Sequence, residues 1–297
     1  MLKQLGKLLG GLGPSILVYP PKSPTASRGT HAASAMWQAS VPHYDTGGFT
    51  SHRTHLPDAE YAQALDNMVK ACTDLLVRSS DGSRVLLGKR RVQPQPDWWF
   101  VGGRMFPGET PASSCARLIN RELGLKVGSD RLDVVCTQSL VWGMREQSPQ
   151  EHGTADLQAP RRRAACAATP LAPCTPIHLT PGPQVVFSLR LTDAEADAVV
   201  LDAAEYADSS WVPLADVIGG NYHPALRRAA AALRASDAFR DLRAACGSAD
   251  SANSDAKIAE MARKFCEAAT LAKVNNSGYR VIAPHLNYEC DVAVTER

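Results

Sequence analysis

The sequence lacks any run of about 18 apolar residues, the length that a membrane-spanning helix requires. It also lacks a strong excess of one charge, because its formal net charge is only +2. Bulk charge therefore favours neither a nucleic-acid partner nor attraction to a membrane surface. With 44% hydrophobic residues, the chain has enough apolar side chains for a globular domain with a buried core.

Dense cysteine motifs are absent as well. The eight cysteines are scattered and include no CxxC pair, which is typical of reduced thiols in an intracellular protein rather than of a disulfide framework. Cys166, Cys174 and His178 lie near one another along the chain, but their spacing matches no strong zinc pattern. The cysteines therefore predict neither disulfides nor a zinc site.

Acidic residues are missing from the first 44 positions, which carry lysines, an arginine and many serines and threonines. In MLKQLGKLLGGL the leucines recur on one face of a predicted helix, and the lysines lie off that face. An acid-poor, basic, amphipathic start resembles an organelle transit sequence. We predict that residues 1–57 form a basic arm that targets the protein to mitochondria; an ordinary flexible arm on a cytoplasmic protein is the alternative.

Short apolar segments separated by turn residues predict a sheet domain. A strand begins at Asp74, and Asp81-Gly82 predicts a hairpin turn because glycine adopts positive φ readily. The segment VLLGKR returns as the next strand, and LDVVCTQSLVWG, QVVFSLRL and SSWVPL read as later strands. These strands around one central helix predict an α/β (α+β) domain with a mixed sheet over residues 58–222.

The central helix is predicted over residues 110–123. Pro111 suits its first turn, and Gly124 suits its C-terminal end. Apolar residues recur at helical spacing and predict one buried face. That predicted face consists of Ala112, Cys115, Ala116, Ile119 and Leu123.

Two further segments stand outside this pattern. Residues 144–183 are rich in proline, alanine and glycine, which predicts a long surface insertion. Residues 223–297 predict a C-terminal helical extension, in which one strong helix after His223 is followed by a serine-rich linker and a second helix ending near Ala272. The final residues predict an extended tail.

The stretch GGRMFPGETPASSCARLINRELGL, residues 102–125, carries the chemistry. Paired glycines let a ligand approach the backbone closely. Glu109 lies at the predicted helix entrance and Glu122 near its end, and carboxylates are ligands that Mg²⁺ prefers. Hydrolysis of a diphosphate uses such a cation to neutralise the leaving group. The stretch therefore predicts a site for a diphosphate.

This pattern resembles the Nudix box, Gx5Ex7REUxEExGU, where U is apolar. Two family carboxylates are missing, because Leu118 and Arg121 stand at their positions. The residues that fall in register are Gly103, Glu109, Arg117, Ile119, Glu122, Gly124 and Leu125.

Within the Nudix hydrolase superfamily the chain is most similar to the GDP-mannose mannosyl hydrolases. That subgroup also has Arg-Leu within its box, GGR at the entrance and ELGL at the end, with LLGKR and VW elsewhere; this chain has each of these. The resemblance covers roughly residues 58–222. It implies a Nudix-type α/β/α sandwich and Mg²⁺-dependent hydrolysis of a nucleoside diphosphate sugar by attack of water at the sugar C1.

The resemblance also implies roles for individual residues. The Gly102 carbonyl, Glu122 and Glu205 would bind Mg²⁺. Arg90 and Arg104 would hold the diphosphate and balance charge on the departing nucleotide.

The remaining implied roles concern the sugar and the base. Asp74 would position the nucleotide sugar. Tyr206 stands where the subgroup has a histidine base, although a phenol titrates near about 10 and accepts a proton poorly at neutral pH. Met144 likewise replaces a histidine after Val141-Trp142.

Two functions remain open at this stage. The first is the active hydrolase, for which His152 or His178 on the insertion would supply a base. Against it, Arg121 either competes with a metal for Glu122 or points to solvent.

The second function is a catalytically inactive Nudix domain, a pseudoenzyme that acts as a structural or binding subunit of a mitochondrial complex. It would contact protein partners through the N-terminal arm, the insertion and the C-terminal helices, and a homodimer is compatible with it. Trp98 and Trp99 either stack on a base or are buried beside a strand. The PRRRA run at 160–164 either touches phosphate or is a solvated loop cluster.

Overall fold

The computed structural model describes residue 41 and residues 43–44, 47–156, 184–247, 254–276, 279–281 and 292–294. The N-terminal arm up to residue 40, most of the insertion and the PRRRA run lie outside the described residues, as do Cys166, Cys174 and His178. Within the described residues, no helix is long and apolar enough to cross a membrane.

A seven-stranded mixed sheet forms the centre of the protein, as predicted. The strand order is β3-β2-β1-β8-β5, with β4 also paired to β1 and β9 also paired to β2. Only β1 and β8 run parallel; the other pairs are antiparallel. The strands of this sheet are β1 (Cys72–Arg78), β2 (Arg84–Arg90), β3 (Trp98–Trp99), β4 (Val101–Arg104), β5 (Asp133–Gln138), β8 (Gln184–Arg190) and β9 (Tyr206–Pro213).

Both faces of this sheet are buried, because side chains alternate along each strand. In β1, Leu75 and Val77 face one core and Leu76 faces the other. The strand is buried along its whole length. A strand that is buried on both faces carries apolar side chains in succession, as Leu75, Leu76 and Val77 do here.

One core is covered by α2 (Pro111–Leu123), and the predicted helix is confirmed. The side chain of Thr110 caps its N-terminus by accepting a hydrogen bond from the Ser113 backbone N–H at 3.0 Å. Gly124 ends it with φ of 69°, a conformation that glycine adopts without strain. The buried face of α2 is wider than predicted, because Leu118 and Glu122 belong to it.

The other core is covered by α5 (Pro224–Gly247). Leu226, Ala229 and Leu233 pack in the same cluster as Leu76 and Leu87 of the sheet. The segment predicted as an extension beyond the domain therefore supplies one layer of the sandwich. Small alanine side chains along α5 let the helix approach the sheet closely.

The remaining helices and strands are short, apart from α6. The predicted second C-terminal helix is confirmed as α6, which packs against α5 and continues past Ala272. Their bounds are α1 (Asp58–Asn67), α3 (Asp193–Asp197), α4 (Leu214–Gly219), α6 (Ser254–Asn276), β6 (Leu140–Trp142), β7 (Thr154–Asp156), β10 (Tyr279–Val281) and β11 (Val292–Val294).

The described start of the predicted insertion is only partly a surface loop. Residues 154–156 form β7, which pairs antiparallel with β6. Arg145 is only 1% exposed, and its guanidinium binds Asp66 of α1 at 2.6 Å. The proline and alanine content of residues 144–183 predicted a loop instead of β7. The strand β7 forms only because it pairs with β6, which precedes the insertion in the chain.

The predicted hairpin turn between β1 and β2 is confirmed, with φ of 77° at Gly82. It is tied to the rest of the fold by Arg78. This buried guanidinium donates to the Gly82 carbonyl at 2.8 Å and pairs with both carboxylate oxygens of Asp237 on α5, at 2.6 and 3.0 Å. The ion pair joins the sheet to its covering helix.

We expect Asp237→Ala to lower the free energy of unfolding by about 3 kcal/mol, because it leaves the buried Arg78 guanidinium without its counter-charge. Urea unfolding followed by circular dichroism measures the change. Asp241→Ala, on the exposed side of the same helix, is the matched control and should change stability by less than about 0.5 kcal/mol. Equal effects of the two substitutions would show that the ion pair does not hold α5 to the sheet.

Candidate functional site

The candidate site is a cavity of about 350 Å³ beside β1 and β4. It is lined by residues of the sheet, of α1 and of the β6–β7 hairpin. The seven site residues predicted from the sequence come together here: five line the cavity, Glu122 lies behind its wall and accepts from the Gly102 N–H, and Tyr206 donates to Glu122. The five lining residues are Asp74, Arg90, Gly102, Arg104 and Glu205, and the box residue Arg121 lines the cavity as well.

The glycine at position 102 is required by its neighbour across the sheet. Gly102 pairs with Asp74 in the β1–β4 register. A Cβ atom at position 102 would lie 2.4 Å from Asp74 Oδ1 and 2.5 Å from the Thr73 carbonyl oxygen. Only glycine lets these two strands bring the Asp74 carboxylate against the backbone of β4.

Glu109 and Arg117 brace the loop before α2. The Glu109 carboxylate accepts from the Phe106 backbone N–H at 2.8 Å and from Arg117 at 2.5 and 2.9 Å. The Arg117 guanidinium also stacks 3.7 Å from the Phe106 ring centre and donates to the Arg104 carbonyl at 3.0 Å. This pair shapes the loop that leads from β4 into the helix, and the Glu109 carboxylate is occupied by it.

Glu122 is the carboxylate at the centre of the site, and it is fully buried. Burial raises its pKa. One of its oxygens accepts from the Tyr206 hydroxyl at 2.5 Å and from the Gly102 N–H at 3.3 Å. The other oxygen accepts a hydrogen bond from Arg121.

Arg121 contacts the carboxylates, although its side chain is 47% exposed, so it does not simply point to solvent. Its guanidinium binds Glu122 and lies 3.5 Å from Glu205. Adjacent residues on a helix point about 100° apart, but the length of the arginine side chain spans this difference. The cation therefore stands between the two carboxylates that the family resemblance implies as Mg²⁺ ligands.

The arrangement does not fit the implied Mg²⁺ ion. Mg²⁺ requires about six oxygen ligands in near-octahedral geometry, whereas both Glu122 oxygens already accept hydrogen bonds and Arg121 supplies the positive charge. Among the described residues, no group of three or more His, Cys, Asp or Glu side chains could hold a metal. The site does not fit Mg²⁺ because Arg121 stands at a family carboxylate position and its guanidinium contacts Glu122 and approaches Glu205.

Tyr206 was expected at the position of the catalytic base, and its environment argues against that role. The ring is buried, and burial together with the neighbouring Glu122 raises the pKa of its hydroxyl. The hydroxyl donates a hydrogen bond to Glu122. Tyr206 therefore acts as a hydrogen-bond donor that stabilises the buried carboxylate.

None of the cavity-lining residues in the described part of the chain is a histidine. His152 instead lies 3.2 Å from Asp66 of α1 and is half exposed. His223 is buried against Trp99 and Trp142, where burial lowers its pKa to about 4. Met144, which replaces a family histidine, is exposed. The structure therefore places no described histidine where it could accept a proton from water in the cavity.

Arg90 and Arg104 line the cavity as expected for ligand-binding residues. Arg104 stacks 4.7 Å from the centre of the Tyr61 ring. Neither arginine forms an ion pair with a carboxylate in the part of the chain that the structure describes, so both guanidinium groups are available to an anion. Asp74, which pairs with Gly102 across β1 and β4, accepts a hydrogen bond from the Gln184 amide.

The tryptophans follow the second of the two readings that the sequence left open. Trp99 is 4% exposed and packs edge-on against Phe100, Trp142 and His223, so it belongs mainly to the core. Trp98 is half buried beside the same core.

Several cavity-lining residues were not predicted from the sequence. Arg145 and Thr154 lie in the segment taken for a surface insertion, and Tyr61 lies in α1, which precedes the box. Gln184 opens β8 and is 2% exposed. A polar residue at the start of an otherwise apolar strand was the only signal available for Gln184; no local signal marked the other three residues.

Comparison with protein-family models finds a match over a segment that contains the box. Residues 69–153 match the family model of the NUDIX domain. The low-salt glycan biosynthesis protein Agl8 of Haloferax volcanii is 37% identical over 75 residues, which is 25% of this chain and 47% of that protein. The chain thus matches about half the length of this curated relative.

Two solved structures are similar to part of this chain at low sequence identity. The MutT protein from Methanosarcina mazei Go1 has a TM-score of 0.37 and 17% identity, covering 58% of this chain and 95% of that one. The Ap4A hydrolase of C. elegans has a TM-score of 0.35 and 16% identity, covering 58% of this chain and 99% of that one.

We expect Tyr206→Phe to lower the free energy of unfolding by about 2 kcal/mol at neutral pH, because the buried Glu122 carboxylate loses a donor. Losing that donor also raises the pKa of Glu122 further. The difference from the wild type should therefore shrink as the pH falls and Glu122 becomes protonated. Urea unfolding at neutral and acidic pH measures both effects.

Tyr222→Phe is the matched control, since no hydrogen bond of the Tyr222 hydroxyl is present among the described residues. It should change stability by less than about 0.5 kcal/mol at either pH. A Tyr206→Phe variant as stable as this control would contradict the assignment of Tyr206 as the donor that Glu122 needs.

Proposed function

We propose that the Nudix-like domain of this chain binds a nucleoside diphosphate sugar in its cavity, without a Mg²⁺ ion at the position that the family uses. The observation that carries this proposal is the Arg121 guanidinium, which contacts Glu122 and approaches Glu205. A fixed cation at that point replaces the charge of a metal ion but supplies neither Lewis acidity nor a bound hydroxide. Binding is therefore retained while hydrolysis is weakened.

The charges around the cavity support an anionic ligand. Its carboxylates are Asp74, Glu146 and Glu205, and they are outnumbered by basic side chains. A guanidinium donates two parallel hydrogen bonds to a phosphate, which suits Arg90 and Arg104 to the diphosphate. The basic lining residues are Arg53, Lys70, Arg90, Arg104, Arg121 and Arg145.

The nucleotide-sugar class is supported by two resemblances. The box departs from the Nudix pattern in the manner of the GDP-mannose mannosyl hydrolases. The Haloferax relative is named as a glycan biosynthesis protein. Both point to an activated sugar rather than to a nucleoside triphosphate. Asp74, buried beside Gly102, borders the cavity and is the carboxylate that we assign to the sugar hydroxyls.

Mg²⁺-dependent hydrolysis is the second candidate. It is favoured by the retention of Glu122 and Glu205 on either side of Arg121. For that reaction the arginine would have to leave the carboxylates when metal and substrate bind. No described histidine lines the cavity to act as a base, and for this reason we rank binding above hydrolysis.

The role in a mitochondrial complex remains a proposal that concerns other surfaces. The N-terminal arm and most of the insertion, two of the three segments expected to contact protein partners, lie outside the described residues. The third segment is partly committed elsewhere, because one face of α5 is buried against the sheet. In a complex, the outer surface of the α5–α6 pair is the part of this segment that a protein partner would contact.

The binding proposal is tested by titrating the full chain with GDP-mannose and with ADP-ribose in the presence of EDTA, using isothermal calorimetry. We expect Arg104→Ala to weaken binding of the preferred ligand roughly 10- to 100-fold, because it removes hydrogen bonds to a charged phosphate. Binding should also weaken as salt rises.

Arg234→Ala is the matched control, since Arg234 is exposed on α5 away from the cavity. It should leave the affinity unchanged. Failure of the wild type to bind either compound would overturn the binding proposal. Release of sugar or nucleotide that requires Mg²⁺ and disappears in Glu122→Gln would instead establish the hydrolase.

The exclusion of metal by Arg121 is tested by Arg121→Glu, which restores a family carboxylate beside Glu122. Without metal we expect this variant to be less stable than the wild type, because it crowds buried negative charge. Mg²⁺ at roughly ten times its dissociation constant should then stabilise the variant by about 1.4 kcal/mol. Thermal unfolding across a Mg²⁺ series measures the effect.

Wild type and Arg121→Gln are the comparisons. The wild type should show no Mg²⁺-dependent stabilisation, whereas Arg121→Gln separates removal of the cation from addition of a ligand. Mg²⁺ that stabilises the wild type as strongly as Arg121→Glu would show that Arg121 does not occupy the metal position.

A further inference from the structure

Three buried polar atoms without a hydrogen-bond partner belong to residues that line the same cavity. They are Arg145 Nη2, Thr154 Oγ1 and Gln184 Oε1. Their residues are only 1%, 6% and 2% exposed, respectively. Folded proteins pair the large majority of buried polar side-chain atoms, so three orphans around one cavity require an explanation.

The surrounding structure holds two of these groups in place and leaves one atom of each unused. Arg145 binds Asp66 at 2.6 Å and the Gln147 and Gly153 carbonyls at 3.1 and 3.3 Å, all through Nη1 and Nε. The Gln184 amide nitrogen donates to Asp74, which leaves its carbonyl oxygen.

The Thr154 side chain, which carries the third unpaired atom, is held in place by its position in the backbone of β7. Thr154 sits in β7 opposite Trp142, and β-branched side chains have few rotamers. Each of the three side chains is therefore oriented before any ligand arrives.

The chemistry of the orphans identifies what they recognise. Arg145 can only donate, the Gln184 oxygen can only accept, and the Thr154 hydroxyl does both. A phosphate, which only accepts, would satisfy Arg145 but would leave Gln184 unpaired and would be repelled by Asp74. A ring that carries several hydroxyl groups donates and accepts, and so matches the whole set.

We propose that Arg145, Thr154 and Gln184 form the sugar subsite of this cavity, with Asp74 accepting from a further hydroxyl. The three unpaired atoms belong to side chains that line the cavity and are shielded from bulk solvent. Tyr61 and Trp142 also line the cavity and give the ring apolar surface. Pockets that combine apolar walls with a few placed polar groups are typical of small-ligand sites.

This subsite rests on the proposed function, since the diphosphate lies at Arg90 and Arg104 and the sugar extends from it. It adds that the β6–β7 hairpin, which belongs to the segment predicted as an insertion, contributes to specificity. The sugar, rather than the nucleotide, is what these three side chains recognise.

Thr154→Val tests the subsite, because it replaces the hydroxyl with a methyl group of the same shape. No described residue depends on the Thr154 hydroxyl, so the unliganded variant should be at least as stable as the wild type. We expect its affinity for GDP-mannose to fall roughly 2- to 10-fold, the range of one neutral hydrogen bond. Its affinity for GDP, which lacks the sugar, should not change.

Thr137→Val is the matched control, because Thr137 is exposed on β5 and does not line the cavity. It should bind both ligands as the wild type does. Equal loss of affinity for GDP and GDP-mannose in Thr154→Val would overturn the sugar subsite while leaving nucleotide binding intact, as would no loss for either. If the wild type binds neither GDP nor GDP-mannose, the proposed function fails and the subsite fails with it.

Discussion

The buried carboxylate of Glu122 is the constraint on which this site depends. A charge removed from water must be compensated within the protein, and three parts of the chain do so: Gly102 of β4, Arg121 of α2 and Tyr206 of β9. These contacts join the central helix to two separate strands of the sheet. The same contacts consume both oxygens of the carboxylate, so stabilising the fold and binding a metal compete for one group.

Arg121 decides the outcome of this competition, because its guanidinium takes the place that a metal ion would have. In a Nudix box with a carboxylate at that position, two acidic side chains would repel each other until a cation arrived. Here the cation is part of the chain and also approaches Glu205. The site is electrostatically satisfied without metal, while Arg90 and Arg104 leave positive charge at the cavity for a phosphate. In the function that we propose, the anion site is kept while the metal site is lost.

The central helix was readable from the sequence because its signals are local. Thr110 and Pro111 mark its start, Gly124 marks its end, and the spacing of the box residues is contained within it. The hairpin at Gly82 was readable for the same reason. By contrast, Arg145 looked like part of a surface insertion, since nothing near it in sequence reveals that Asp66 of α1 will neutralise it in a buried position.

The sequence by itself determined the mixed α/β character, the Nudix-like box and part of the cavity lining, because periodicity, turn chemistry and motif spacing act over a few residues. Only the tertiary structure decided that Arg121 contacts the carboxylates, that Tyr206 donates a hydrogen bond to Glu122, and that α5 is a layer of the sandwich. Side-chain direction, burial and pKa depend on neighbours brought from distant parts of the chain, and no local pattern encodes those neighbours.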